Sequence, residues 1–181
     1  MEILLIDDIP EKAGALANFL EERGAMQHWV TNEKAAKDLL KTGSDYAAIF
    51  LDMAMPRSDK DKALNKYSGI NILNFMKVYK ISIPVVVITL YWDFVSLEAQ
   101  ENSDVKVYSN MKVMGSDSLP EVNDLSKIRY LDMLHYYMSQ RYANYIGAVK
   151  YSNVNNKWKL FLESLLTHNG GKAFENFTIR E

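Results

Sequence analysis

Ile3-Leu4-Leu5-Ile6-Asp7-Asp8 and Ala47-Ala48-Ile49-Phe50-Leu51-Asp52 are two short apolar runs, and each ends in aspartate. A continuous apolar run of this length reads as a strand buried on both faces, as in a parallel sheet. If the two strands are neighbours, Asp7, Asp8 and Asp52 meet at one edge of that sheet. Three like charges crowded together repel, so the cluster persists only with a cation or with protons. The chain has no Cys, and His28, His135 and His168 show no ligand spacing. Carboxylate oxygens alone point to a hard divalent ion, Mg²⁺, and so to phosphate chemistry.

Outward from these runs, strand and helix patterns alternate. Pro10 suits the first turn of a helix and Gly24 its end, with Ala13, Leu16, Phe19 and Leu20 on one face. Met26–Thr31 is expected as a second strand with Trp29 and Val30 in the core. Glu33–Leu40 reads as a helix stopped by Gly43, Tyr46–Leu51 as a strand, and Ile70–Lys80 as a helix. Pro84 introduces Val85-Val86-Val87-Ile88-Thr89-Leu90, the clearest strand of the chain. Asp93–Gln100 is expected as a helix and Val105–Tyr108 as a fifth strand. Repeated β-α units imply an α/β fold, a doubly wound parallel five-stranded sheet with helices on both faces. Ligands of such sheets bind outside the carboxyl ends of the strands, where strand order reverses, and Asp7, Asp8, Asp52 and Thr89 belong to that edge.

At 181 residues the chain has room for one domain with an extension. Residues 126–181 carry eight Lys/Arg against four Asp/Glu and hold ten of the 21 aromatic residues, whereas residues 1–125 carry thirteen against nineteen. That shift predicts a boundary in the Gly, Ser, Asp and Pro cluster near 115–126: a first domain over 1–118 and a helical, aromatic-rich extension over 119–181, with helices near Leu125–Tyr145 and Lys157–Leu166. The absence of Cys fits a reducing compartment. No stretch is long and apolar enough to span a bilayer, and a strand beginning at residue 2 leaves no room for a signal peptide, so a cytoplasmic location without membrane contact is expected.

Residues 1 to about 112 resemble a receiver domain of the two-component response regulators, a flavodoxin-like fold. The carrying motifs are Ile6-Asp7-Asp8, Leu51-Asp52-Met53-Ala54-Met55-Pro56, Ser68-Gly69 and Ile83-Pro84-Val85-Val86-Val87-Ile88-Thr89. The resemblance implies that Asp52 accepts a phosphoryl group from a phosphohistidine of a histidine kinase or phosphotransfer protein, as in a phosphorelay. It implies Mg²⁺ held by Asp7, Asp8, Asp52 and the backbone carbonyl of Ala54. It assigns Thr89 to a phosphoryl oxygen, and a lysine on the fifth strand to another. The chemistry is sound on its own terms: a carboxylate is a competent nucleophile, and anion attacking anion needs neighbouring positive charge.

The chain departs from the family pattern in three places. The family lysine is usually followed by proline, and no Lys-Pro pair exists here; spacing from Thr89 favours Lys112, with Lys106 as the alternative. The charged stretch Arg57–Tyr67 is longer than the family loop and is expected as a solvated surface insertion. Leu90-Tyr91-Trp92 follows Thr89 where the family has a small residue. These departures keep a second reading open, a pseudo-receiver that binds partners without being phosphorylated. An aspartyl phosphatase would need an acid at position 54, which is Ala. In the extension, Tyr130, Tyr136, Tyr137, Tyr142, Tyr145, Tyr151 and Trp158 mix with Arg129, Arg141, Lys150, Lys157 and Lys159. Packing or homodimerisation through its helices is the use expected of it, ahead of nucleic-acid binding.

Overall fold

A computed structural model of the protein describes residues 1–43, 45–90, 138–154 and 156–167. The elements are β1 (Glu2–Ile6), α1 (Pro10–Glu21), β2 (Met26–Val30), α2 (Glu33–Leu40), β3 (Ala48–Leu51), β4 (Met55–Pro56), β5 (Leu64–Asn65), α3 (Ser68–Val78), β6 (Val85–Thr89), β7 (Tyr145–Lys150) and α4 (Lys157–Thr167). Five strands form one sheet in the order β2-β1-β3-β6-β7, and every pairing is parallel. This is the expected doubly wound α/β architecture.

Alternation along the strands divides the core in two. Ile3, Leu5, Phe50, Val86, Ile88 and Ile146 pack with Leu16, Phe19 and Leu20 of α1 and with Trp158 and Leu162 of α4. Leu4, Ile6, Ile49, Leu51 and Val87 pack on the other side with Ala36 and Leu40 of α2 and Ile70, Ile72, Leu73 and Met76 of α3. Helices thus cover both sheet faces, α1 and α4 on one and α2 and α3 on the other, which explains why the central strands are apolar without interruption. Phe19 and Trp158 meet edge to face at 5.7 Å, and Arg23 pairs with Glu163, so α1 and α4 lie together. Gly24, at φ 70°, provides the left-handed residue that ends the turn after α1.

Several expectations need correction. The strand beside β6 is Tyr145–Lys150, which lies beyond the boundary expected at 118/119; Tyr145 opens this strand rather than closing a helix. Asp93–Gln100 and Val105–Tyr108 lie outside the described residues. Trp29 is 43% exposed and not a core residue, because β2 is the edge strand. Arg57–Tyr67 is not a merely solvated loop. It includes the antiparallel β4–β5 pair and is tied to α2 by Lys34 N–H to Arg57 O (2.9 Å) and Asn32 Nδ2 to Asp59 Oδ1 (2.7 Å). His28 Nδ1 lies 2.9 Å from the Tyr46 hydroxyl.

Candidate phosphoryl-acceptor and metal site

β1 and β3 are neighbours in register Ile6↔Leu51, so their next residues emerge together at the carboxyl edge. The edge is also where strand order reverses, β2 lying on one side of β1 and β3 on the other. Backbone bonds extend both strands into the site: Asp7 N–H donates to Val30 O (3.0 Å) and Asp52 N–H to Ile6 O (2.8 Å). One ligand oxygen from each of Asp7, Asp8 and Asp52 lies within 4.8 Å of the others. Asp7 and Asp52 are buried, and Asp8 is partly so.

Each carboxylate is held differently. Asp7 Oδ1 accepts from Ile9 N–H (3.0 Å), a local turn that sets the entry into α1. The indole Nε1 of Trp29 donates to Asp7 O at 2.7 Å, which gives this exposed aromatic a polar anchor at the pocket. Asp52 Oδ1 accepts from Met53 N–H at 2.7 Å. Asp8 Oδ1 is buried and has no hydrogen-bond partner among the described residues.

Sequence reasoning missed the fourth member. Lys12 is 1% exposed and its ammonium lies 2.7 Å from Asp7 Oδ2 and 2.8 Å from Asp52 Oδ2. A signal was present: Lys12 stands one turn before Leu16, on the buried stripe of α1, where an apolar residue is the norm. Burial would depress its pKa, but Asp52 and Asp7 outweigh that and raise it above the ordinary lysine value. Among the described residues, one cation faces these three anions. Burial pushes the Asp7 carboxyl up to about 7, Lys12 opposing the rise and Asp52 adding to it. Burial, then the Asp52 charge, pushes Asp8 up to about 6. Among the described residues, the pocket is short of positive charge.

The donor set among the described residues therefore fits Mg²⁺: hard oxygens, a residual negative charge and one buried oxygen with no partner. Ala54 is buried two residues after Asp52, in the segment leading to β4. Gly69, at the start of α3, explains the spacing of Ser68-Gly69 to the acceptor segment. Its N–H donates to Met53 O (3.0 Å), and a Cβ there would lie 2.9 Å from both Asp52 O and Met53 Cα. Only glycine lets the helix approach the Asp52–Met53 backbone this closely.

Thr89 is buried at the carboxyl end of β6, and its carbonyl accepts from Tyr151 N–H (2.8 Å). Lys112 and Lys106 lie outside the described residues. The lysine ending the fifth strand of the sheet is Lys150, exposed and in register with Thr89. Tyr151, buried in the α1-side core, has its hydroxyl pKa raised by burial, and it senses the charges of Lys12 and Asp7. The chain after β7 thus borders the acidic pocket.

No family model matches the chain, and no curated protein matches it. Among solved structures it is similar to the N-terminal domain of a response regulator/sensory box/GGDEF three-domain protein from Carboxydothermus hydrogenoformans, at 15% identity, TM-score 0.53, over 93% of this chain and 92% of that one. It is also similar to a Francisella response regulator receiver domain, at 20% identity and TM-score 0.41, over 77% of this chain and 98% of that one. A third is the receiver domain of a Pseudomonas aeruginosa sensor histidine kinase with magnesium in its active-site cleft, at 21% identity and TM-score 0.40, over 49% of this chain and 66% of that one. With its five parallel strands in the order β2-β1-β3-β6-β7 and helices on both faces, the chain has the fold of the response-regulator receiver domains.

Proposed function

We propose that this protein is a phosphorylation-controlled signalling receiver, with Asp52 as acceptor and a histidine kinase or phosphotransfer protein as donor. The observation that carries the reading is the convergence of Asp7, Asp8 and Asp52 at the switch point, with Asp8 Oδ1 buried and without a partner among the described residues. In the transfer, an Asp52 carboxylate oxygen forms a bond to phosphorus while the phosphorus–nitrogen bond of the phosphohistidine breaks. The electron pair stays on the imidazole nitrogen, and the product is an acyl phosphate. Asp7, Asp8, Asp52 and the Ala54 carbonyl would hold Mg²⁺, which when bound supplies the charge neutralisation that anionic phosphoryl transfer requires. Thr89, at the end of the adjacent strand β6, is the hydroxyl that would contact a phosphoryl oxygen and so distinguish the two states. We also infer that residues 145–167 complete the receiver unit itself, because β7 and α4 supply an edge strand and half of one helical layer.

Intact mass after incubation with Mg²⁺ and acetyl phosphate tests this reading. A single phosphoryl adduct that disappears in Asp52→Asn supports it. No adduct with acetyl phosphate or a phosphohistidine donor sinks it in favour of the second reading, an interaction module that retains only the fold. That alternative draws on one observation: both Asp52 oxygens are already engaged, by Lys12 and by Met53 N–H.

A further inference from the structure

We infer that Lys12, entering from the first turn of α1, is the charge-compensating lysine of the acceptor site, doing from a helix what the resemblance expects of a lysine on the last strand. The inference deepens the receiver reading and rests on it for the transfer step. Two observations carry it. Lys12 Nζ bridges Asp52 Oδ2 and Asp7 Oδ2 at 2.8 and 2.7 Å, so it touches the reacting carboxylate. Its side chain is wholly enclosed, and α1 continues behind it with Leu16, Phe19 and Leu20 in the core, so the ammonium has a fixed seat.

The placement of Lys12 runs against helix electrostatics. A cation in the first turn meets the positive end of the helix dipole and is disfavoured there. Asp7 and Asp52 supply the local negative charge that makes the position tenable. By pairing with Oδ2 of both residues, Lys12 holds β1 and β3 carboxylates together and leaves Asp8 Oδ1 for a metal. In transfer from acetyl phosphate, an Asp52 oxygen bonds to phosphorus as the bond from phosphorus to the acetate oxygen breaks. Acetate departs with that electron pair, no proton is transferred, and Lys12 stays within reach of the developing negative charge.

The test uses the full chain as wild type, Lys12→Met and Lys150→Met. The rate of acyl-phosphate formation from acetyl phosphate at saturating Mg²⁺ should fall about 100-fold in Lys12→Met and stay within about twofold in Lys150→Met. Mg²⁺ titration followed by calorimetry should show about tenfold tighter binding in Lys12→Met, because a competing cation has left two of the ligands. The reverse ranking of the two variants, or unchanged Mg²⁺ affinity in Lys12→Met, overturns the inference. If Lys12→Met does not fold, the Nζ resonances of ¹⁵N-lysine-labelled protein decide. A shift of the Lys12 signal on Asp52→Asn supports the assignment, and a shift of Lys150 with Lys12 unmoved refutes it. Failure of the wild type to form any adduct refutes the receiver reading instead, and the Mg²⁺ titration and Nζ resonances still decide what Lys12 does.

Discussion

Two buried acidic centres lie on opposite sides of the same sheet, and they are built to different rules. On the α2/α3 side, Glu33 is fully satisfied. Its Oε1 accepts from Lys37 Nζ at 2.6 Å, and its Oε2 lies 3.1 Å from Asn65 Nδ2, 3.0 Å from Ser68 Oγ and 3.1 Å from Asn71 Nδ2. Burial works against its charge, yet the hydrogen bonds from Lys37, Asn71 and Ser68 win, and its carboxyl lies below the ordinary range. On the α1 side, among the described residues, three carboxylates share one ammonium, two have raised pKa values, and one buried oxygen has no partner. A satisfied anion is a fastening, here joining α2, β5 and α3. An undercompensated one is a site waiting for charge.

Removing each centre's cationic or anionic keystone should separate the two roles. Lys12→Ala leaves buried carboxylates without their partner. Urea unfolding without divalent ions should show a loss of about 3–5 kcal/mol. Millimolar Mg²⁺ should restore much of that loss, since a new cation replaces the missing one. A loss that Mg²⁺ does not touch would mean that the pocket behaves like the Glu33 centre.

Glu33→Gln should cost about 1.5–3 kcal/mol, the range for hydrogen bonds to a charged group, and leave Mg²⁺ affinity unchanged. The acid limb gives the sign. The folded-state pKa of Glu33 is below its unfolded value of about 4.5, so its contribution is complete above that value and is lost as pH falls through the folded value. Stability measured from pH 6 down to pH 3 should therefore decline less steeply in Glu33→Gln than in wild type.

Gly69→Ala adds a Cβ about 3 Å from the acceptor backbone. Overpacking of this kind costs about 1–3 kcal/mol. Because the displaced segment carries Asp52, Mg²⁺ affinity should fall along with stability, unlike in Glu33→Gln. The smallest and most discriminating change is Asp8→Asn. The raised pKa of Asp8 means that its charged form is disfavoured in the fold, so a neutral amide should stabilise the protein at pH 7 by about 1 kcal/mol, moderated by its partial exposure. Thermal melts should show the gain while Mg²⁺ titration shows binding abolished. A variant that loses both would place Asp8 among the structural anions.

The strand ends were readable because apolar runs buried on both faces announce parallel strands, and the residue after such a run lies at the sheet edge. Asp7, Asp8 and Asp52 follow from that rule alone. Trp29 misled because an apolar pattern does not say whether its strand is central or at the edge. The neighbour of β6 was hidden for a different reason. Val105–Tyr108 and Tyr145–Lys150 are both short β-prone runs, and nothing local ranks one above the other as the partner of β6; the β6–β7 pairing spans more than fifty intervening residues. The Arg57–Tyr67 stretch looked solvated by composition, but its partners, Asn32, Glu33 and Lys34, belong to α2, so its docking was invisible along the chain.

What the amino-acid order settles by itself is periodic: alternating strand and helix patterns, the sheet class, and the acidic residues at two strand ends. Those are local properties, decided by which face each side chain takes in a regular element. What only the packed molecule decides is which charges meet. Lys12 lies forty residues from Asp52, and Glu33 more than thirty from Asn65, Ser68 and Asn71. Spacing along the chain carries no information about such distances. Burial then amplifies them, because an ion pair or an unpaired oxygen weighs far more in a dry interior than it would in water.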